Sequence, residues 1–217
     1  MKTNSFSALC LLTILTCFPA MAVADPLYDT LVHDSVTREY YVHLPTQHFS
    51  GSPPPLVIVL HGGGGTAEAM DRQKDYEFSE KADQLGWILV FPQGVDKQWN
   101  DGRVDLNRDV SLDDVGFISA LIDKCLARYG ADPSRVYVAG MSNGGMMTLR
   151  LAIDLSHRLA AAAAVTANLP VILETAQPVQ PIPLMLINGT DDPVVPYYGG
   201  MVTALGIATL VLGDTNT

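Results

Sequence analysis

Short apolar segments and helical patterns alternate along this chain, and this alternation limits the fold more than any other feature. Five apolar runs end at turn residues: Leu56–Leu60, Trp87–Phe91, Arg135–Ala139, Ala160–Val165 and Leu184–Ile187. Uninterrupted runs of this length are typical of strands buried on both faces. Apolar residues at helical spacing predict three helices, at roughly Glu68–Leu85, Asp113–Tyr129 and Asn143–His157. We therefore expect an α/β fold, a mainly parallel sheet with helices on both faces.

The segments before the first of these runs predict an antiparallel addition to the sheet. Tyr28–Asp34 and Val36–Leu44 alternate between apolar and polar residues, as a half-buried strand pair does. The proline-rich stretches at 53–55 and 177–183 do not separate segments with cores of their own. Residues 25–217 therefore read as one domain.

The first 24 residues have the pattern of an export signal. Lys2 precedes an apolar stretch from Ala8 to Phe18, and Ala22-Val23-Ala24 provides a small-x-small cleavage site. A membrane span requires about 20 apolar residues, and Pro19 interrupts this stretch. We expect cleavage before Asp25, a secreted (extracellular or periplasmic) protein, and no membrane partner after cleavage.

Composition excludes several classes of protein. Of the 217 residues 48% are hydrophobic, which excludes a disordered chain. The formal net charge of −10 argues against a nucleic-acid partner, because phosphate binding requires a basic face. Three cysteines are too few for a disulfide scaffold. Cys125 lies on the apolar stripe of a predicted helix, so we expect a core residue rather than a reactive thiol.

A serine nucleophile is indicated where the strand at Arg135–Ala139 meets the following helix. Gly140-Met141-Ser142-Asn143-Gly144 has the G-x-S-x-G pattern of a tight turn with a strained serine. Side chains two residues either side of the serine would collide, which explains both glycines. The turn places Ser142 at a helix N-terminus, where a developing negative charge is stabilised.

A glycine-rich loop at His61 to Gly65 follows the first predicted parallel strand. In serine esterases the oxyanion meets two backbone N–H groups, one from the residue after the nucleophile, here Asn143. Glycine in the second loop lets its backbone approach the ester. Gly63 is the first candidate for the second donor and Gly64 the next.

The same loop also fits a relaxed dinucleotide-binding pattern, Gly62-x-Gly64-x-x-Ala67. That alternative requires an acidic residue at the end of the next strand to hold a ribose. The next strand ends Phe91-Pro92-Gln93-Gly94, without a carboxylate. We expect no cofactor. His43 and His48 lack a third ligand nearby, so we expect no metal either.

The loop after Leu184–Ile187 contains an acidic candidate. Asp191 and Asp192 follow the strand after the nucleophile unit, where a hydrolase of this fold holds the acid that orients its histidine. A plain turn before Pro193 is the alternative. The histidine should follow the acid in the chain, yet no histidine follows Asp192.

The histidines that the chain does contain are not placed to act as the base: His33, His43, His48, His61 and His157. His157 lies 15 residues beyond Ser142 on the same predicted helix, which corresponds to roughly 22 Å. His61 belongs to the oxyanion loop, and the others lie on or near the N-terminal strands.

Six motifs in order resemble the secreted polyhydroxybutyrate depolymerase family, which is related to feruloyl and acetylxylan esterases: LHGGGG, GWILVFPQG, Trp99-Asn100, DDVGF, DPSRVYVAGMSNGGMM and NGTDDPVVPYYGG. The resemblance covers about Tyr28 to Gly200 and implies an α/β-hydrolase fold. It implies Ser142 as nucleophile and, as the acid, the aspartate before Pro193, hence Asp192. Family members continue with a final strand, a helix and a glycine-flanked histidine. The resemblance therefore implies a C-terminally truncated chain that lacks these parts.

Smaller features give weaker expectations. Trp99, His61 and Met141 are candidates to contact substrate, although packing is an equal alternative for Trp99. Asp113 and Asp114 open a predicted helix and are expected to stabilise its N-terminus.

Together these features predict a secreted serine ester hydrolase that acts on a small or polymeric ester, either a polyhydroxyalkanoate or a feruloylated or acetylated cell-wall polysaccharide. The missing histidine predicts little activity for the 217-residue chain. The alternative is a non-catalytic protein that binds such esters or polysaccharides in the same cleft. The oligomeric state is not indicated.

Overall fold

The computed structural model describes residues 26–46, 51–72, 76–103, 111–204 and 207–212. Seven strands form one mixed sheet: β1 (Leu27–His33), β2 (Val36–His43), β3 (Leu56–Leu60), β4 (Ile88–Pro92), β5 (Val136–Met141), β6 (Ala161–Val165) and β7 (Leu184–Ile187). Their spatial order is β1-β2-β4-β3-β5-β6-β7. The β1–β2 and β2–β4 pairs are antiparallel and the others parallel, which confirms the predicted α/β sheet and its antiparallel addition.

The helices among the described residues are α1 (Ala67–Arg72), α2 (Phe78–Leu85), α3 (Asp114–Tyr129) and α4 (Asn143–Asp154), with short 3₁₀ helices at Val95–Lys97, Ser156–Arg158 and Val171–Leu173. The single helix predicted over Glu68–Leu85 is wrong, because Glu77 before α2 has a left-handed backbone with φ 49°. The helix predicted to His157 ends at Asp154 and continues only as a 3₁₀ turn. In both places the apolar pattern correctly indicated helical structure, but such a pattern does not show where a helix is interrupted or ends.

The helices cover both faces of the sheet. Ile58 and Val90 pack in the core cluster that contains Phe117 and Ile118 of α3. Val59 and Leu89, one residue away along the same strands, pack with Ala67 of α1 and Ala82 of α2. Because alternate strand residues point to opposite faces, α1 and α2 lie opposite α3. Cys125 is fully buried in the first cluster, as predicted.

The two aspartates at the start of α3 have different roles. Asp113 is the N-cap, and its Oδ1 accepts a hydrogen bond from the Gly116 N–H at 2.9 Å, as expected. Asp114 is buried instead and forms a 2.6 Å ion pair with Arg38. Asp114 Oδ2 also accepts from the Asn100 N–H at 2.7 Å, so this carboxylate fixes the loop after β4. The capping role expected for Asp114 is therefore replaced by a buried structural one.

Strand β7 differs from the prediction of burial on both faces. Among the described strands it lies at one edge of the seven-stranded sheet and has β6 as its pairing partner, and all four of its residues are exposed. The apolar run correctly marked a strand, but burial depends on neighbouring elements that the run itself does not show.

A hairpin that the sequence patterns did not indicate follows the main sheet. Strands β8 (Gly199–Ala204) and β9 (Ile207–Leu212) pair antiparallel as a separate sheet, and Val202 packs near Met146 and Leu149 of α4.

The predicted export signal, with Cys10 and Cys17, lies outside the described residues, as does His48. Among the described helices, none has both the length and the apolar character needed to cross a bilayer.

Candidate active site

The turn between β5 and α4 holds Ser142 in a strained conformation. Ser142 has φ 51° and ψ −121°, a region that costs a residue other than glycine about 1–3 kcal/mol. A Cβ on Gly140 would lie 2.3 Å from the Gly144 oxygen, and one on Gly144 would lie 2.4 Å from the His61 oxygen. The predicted steric reason for both glycines is confirmed. Such strain persists only where the surroundings enforce it, and it is typical of functional sites.

Ser142 is half-buried at the N-terminus of α4, which begins at Asn143. The Ser142 N–H donates to the Val165 oxygen at the end of β6, at 2.9 Å. The free N–H groups and the dipole of a helix N-terminus favour negative charge. The turn therefore places Ser142 at a helix N-terminus, an environment that favours the negative charge of an acyl-transfer reaction.

The glycine-rich loop lies against this turn. A Cβ on Gly62 would be 3.6 Å from the Ser142 Cβ, and one on Gly63 would be 3.6 Å from the Asn143 Cβ. The Gly64 N–H donates to the Lys97 oxygen at 2.9 Å, so this group is already engaged. The geometry thus favours Gly63 over Gly64 as the second oxyanion donor.

His61 orients the peptide unit that contains the Gly63 N–H. Its Nε2 accepts from the Gly94 N–H at 3.0 Å, so the proton of the neutral ring is on Nδ1, which donates to the Gly62 oxygen at 2.8 Å. The Gly62 C=O and the Gly63 N–H belong to one planar peptide and point in opposite directions. A hydrogen bond that fixes the carbonyl therefore also fixes the donor.

His61 is 1% exposed, and burial lowers the pKa of its ring. Both ring nitrogens are engaged with the surrounding backbone. The expectation that His61 contacts substrate is replaced by a structural role in the oxyanion loop.

Trp99 is also fully buried, so its side chain is not exposed for contact with a substrate. Its indole N–H donates to the His61 oxygen at 2.9 Å, and its ring lies 5.0 Å from the His61 ring, centroid to centroid. Trp99 therefore has a packing role, and the prediction that it contacts substrate is wrong.

Met141 is half-buried beside Ser142, and its sulfur accepts a hydrogen bond from the Tyr76 hydroxyl at 3.4 Å. This position still suits contact with a bound acyl group.

The acidic loop lies at the same edge of the sheet as Ser142. Met141 pairs with Val165, and Val165 with Ile187, so β5, β6 and β7 end in one row. Neighbouring strands are about 4.8 Å apart, which places the end of β7 about 10 Å from the end of β5. Asp192 Oδ1 accepts from the N–H groups of Val194 and Val195, at 2.8 and 2.9 Å.

Apart from His61, the described histidines lie away from the Ser142 turn. His33 Nε2 is 3.0 Å from Asp113, at the tip of the β1–β2 turn, and His43 Nε2 is 3.0 Å from Asp83 of α2. His157 is exposed beyond the far end of α4. Among the described residues, none of these imidazoles bonds to the Asp192 carboxylate.

Several polar residues of the site were not found by sequence reasoning. The Asn143 carboxamide, predicted only through its backbone, bonds to Trp99 and to the buried Asp101. The Asn188 carboxamide bonds to the backbone of Ala167 and so ties the acidic loop to the end of β6. Asn188 belongs to the motif NGTDDPVVPYYGG, but a local sequence pattern cannot indicate a hydrogen bond to a residue 21 positions away.

One group of three possible metal ligands occurs among the described residues: His33, Asp34 and Asp113. It lies where the β1–β2 turn meets α3, and both of its carboxylates are exposed. At the Ser142 turn the described part of the chain presents hydrogen-bond donors rather than a ligand set.

Comparison with known proteins agrees with this arrangement. Residues 107–214, which include Ser142 and Asp192, match the family model described as phospholipase/carboxylesterase. The chain is 36% identical to a protein named as an esterase, NocK, of Nocardia uniformis subsp. tsuyamanensis, over 75% of this chain and 47% of that protein. It is 27% identical to the probable feruloyl esterase C of Aspergillus niger, over 83% of this chain and 64% of that protein.

A solved structure of a thermostable esterase superimposes with a TM-score of 0.62 at 23% identity, over 80% of this chain and 49% of that one. At this identity the likeness bears on the fold alone. The chain spans less than two thirds of the length of each of these proteins. The chain has the α/β-hydrolase fold, it matches the phospholipase/carboxylesterase family of the α/β-hydrolases, and its named relatives are esterases.

Proposed function

We propose that the protein is a secreted serine ester hydrolase in which Ser142 is the nucleophile. One observation carries the proposal: the strained backbone of Ser142, held between two glycines that admit no side chain and facing the glycine-rich loop. A non-functional turn has no reason to keep this strain. The family match and the esterase names of the relatives support ester hydrolysis.

In this mechanism the Ser142 hydroxyl attacks the ester carbonyl and gives up its proton to a base. The carbonyl oxygen becomes an oxyanion, which accepts hydrogen bonds from the Asn143 and Gly63 N–H groups. Collapse of the tetrahedral intermediate releases the alcohol, which takes a proton, and leaves the acyl group on Ser142. Water then attacks the acyl group, returns the proton to Ser142 and releases the acid.

The proposed role of Asp192 is to orient a histidine base. None of the described histidines lies beside this carboxylate. We therefore expect slow ester turnover by the 217-residue protein, supported mainly by the oxyanion donors. Free imidazole should replace the base in part, because it supplies the missing proton acceptor.

The substrate class belongs to the proposal as well. The resemblance includes polyhydroxyalkanoate, feruloyl and acetyl esters, and a relative named as a feruloyl esterase favours an aromatic acyl group. Methyl ferulate, a hydroxybutyrate oligomer and an acetylated sugar therefore form the comparison set.

The test measures hydrolysis of a short-chain chromogenic ester with and without imidazole, and Ser142→Ala is the matched control because it keeps the Cβ and the backbone strain. We expect a weak Ser142-dependent rate that imidazole increases. A rate that Ser142→Ala leaves unchanged would overturn the nucleophile assignment. A fast Ser142-dependent rate without imidazole would show that the chain already holds a base.

A second candidate function follows from the positions of the described histidines. The cleft could bind esters without hydrolysing them, as a pseudo-hydrolase does. This function predicts no Ser142-dependent turnover with imidazole present, together with saturable binding of ethyl ferulate or a hydroxybutyrate oligomer. Titration calorimetry measures the binding, and the Ser142-dependent rate with imidazole distinguishes the two functions, because only the hydrolase predicts turnover.

A further inference from the structure

A buried carboxylate lies behind the proposed oxyanion hole. Asp101, in the loop after β4, is fully buried, and Arg103 is 5% exposed. The Arg103 Nη2 lies 2.6 Å from Asp101 Oδ2, and Arg103 Nε donates to both carboxylate oxygens at 3.0–3.1 Å. A buried ion pair is weak evidence of stabilisation, because desolvation offsets the attraction. Its position beside the site calls for another reason.

Asp101 bonds directly to the residue that follows the nucleophile. The Asn143 Nδ2 donates to Asp101 Oδ2 at 2.7 Å and to the Trp99 oxygen at 3.1 Å. The Trp99 N–H in turn donates to Asn143 Oδ1 at 2.8 Å. Three hydrogen bonds therefore fix the carboxamide of the residue whose own N–H is the first oxyanion donor.

The same loop also reaches the second donor. The Trp99 indole N–H bonds to the His61 oxygen, and the His61 ring bonds to the Gly62 oxygen. That carbonyl shares a peptide plane with the Gly63 N–H. A continuous chain of contacts thus joins Asp101 to both donors.

Arg103 has a complementary electrostatic role. A lone carboxylate behind the oxyanion would repel the charge that develops on it, especially in a buried site. The guanidinium of Arg103, 2.6 Å away, compensates for the negative charge of Asp101. Asp101 can therefore accept a hydrogen bond from Asn143 without repelling the oxyanion.

We infer that Asp101 is a positioning residue for ester hydrolysis, which through Asn143 and Trp99 holds the two oxyanion donors in register. The inference rests on the proposed function. A misplaced donor weakens transition-state stabilisation more than substrate binding, so the effect should fall on kcat rather than KM.

The test compares Asp101→Ala with Asp101→Asn, which keeps an acceptor for the Asn143 carboxamide. The control is Asp29→Ala, because Asp29 of β1 is also an ion-paired carboxylate, and its partners are Tyr40, Lys124 and Arg128. In the imidazole-assisted assay we expect Asp101→Ala to lower the Ser142-dependent kcat about 10–100-fold with KM nearly unchanged. Asp101→Asn should recover most of this loss. Equal losses in Asp101→Ala and Asp29→Ala, or no recovery in Asp101→Asn, would overturn the inference.

A measurement independent of turnover separates this inference from the proposed function. In Asp101→Ala, amide hydrogen exchange should accelerate at residues 61–64 and 142–146 and stay unchanged in α3. In Asp29→Ala, exchange at residues 61–64 and 142–146 should stay unchanged. Unchanged exchange in both segments would contradict the inference even in an active enzyme. Absence of Ser142-dependent turnover in the wild-type protein would contradict the proposed function, while exchange would still decide the role of Asp101.

Discussion

Two asparagines hold the two sides of the candidate site, and they do so in very different surroundings. We call residues 60–65, 98–103 and 140–147 the nucleophile side and residues 184–198 the acid side. Asn143 bonds to the N–H and C=O of Trp99, and Asn188 bonds to the N–H and C=O of Ala167 in the same way. The third hydrogen bond of Asn143 goes to the fully buried Asp101, whereas that of Asn188 goes to Asn168, and Asn188 itself is partly exposed.

The difference shows where the molecule maintains strain. On the nucleophile side Ser142 adopts φ 51° between closely packed glycines, and Trp99, His61 and Asn143 are almost fully buried. On the acid side every residue of β7 is exposed, and Asp192 is half-buried in a turn closed by its own loop. Close packing on the nucleophile side can hold Ser142 in an unfavourable backbone conformation. The acid side holds the Asp192 carboxylate in a loop without such packing.

The largest effect should come from matched glycine substitutions on the two sides. A Cβ on Gly144 would lie 2.4–2.5 Å from the backbone oxygens of His61 and Leu60, whereas one on Gly189 would lie 3.8 Å from the Asp192 Cβ. We expect Gly144→Ala to lower the free energy of unfolding by about 3 kcal/mol or more and Gly189→Ala by less than about 1 kcal/mol. Urea denaturation measures both, and equal losses would refute the contrast in packing.

Amide exchange should show the next largest difference. In the described part of the chain β5 pairs with both β3 and β6, while β7 pairs with one strand, β6, and is exposed. Protection factors in β7 should therefore be about 100-fold lower than in β5, since edge structure opens locally. Comparable protection of the two strands would show that the acid side is as rigid as the nucleophile side.

Changes at Asp192 should have a moderate effect on stability. Asp192→Ala removes an acceptor for the N–H groups of Val194 and Val195 and should cost about 1 kcal/mol, while Asp192→Asn keeps the acceptor. Thermal denaturation with both variants measures the difference.

The same variants test whether the carboxylate orients a base. Because no described histidine lies beside Asp192, Asp192→Asn should change Ser142-dependent turnover of the 217-residue protein less than about tenfold. A loss near 10⁴-fold, as when the acid of a working triad is removed, would reveal a base that it orients.

The smallest effect should be on how stability depends on pH. Burial lowers the pKa of His61 below its ordinary value of 6.5, so the unfolded chain binds a proton there more readily than the folded one. The contribution of His61 to stability is complete above pH 6.5 and is lost as the pH falls from there towards the lowered value. The melting temperature of His61→Gln should therefore depend less steeply on pH in this range than that of the wild type. Parallel profiles would assign the acid sensitivity to other groups.

Much of the nucleophile side could be predicted, because its signals are local. The strand, the turn and the helix around Ser142 occupy consecutive residues, and each leaves its own pattern of apolar and glycine positions. The roles of Trp99 and Asp101 could not be predicted, since their bonds to Asn143 join residues 44 and 42 positions apart. The same limit explains β7, whose apolar run indicated burial although no described helix covers it.

The most direct test of the central claim is to locate the acyl group after reaction. The protein is incubated with an activated ester and imidazole, quenched in acid and digested, and its peptides are examined by mass spectrometry. We predict acylation of the peptide that contains Ser142 and its disappearance in Ser142→Ala. Acylation confined to another residue, or hydrolysis that proceeds equally in Ser142→Ala, would contradict the assignment of this serine as the nucleophile.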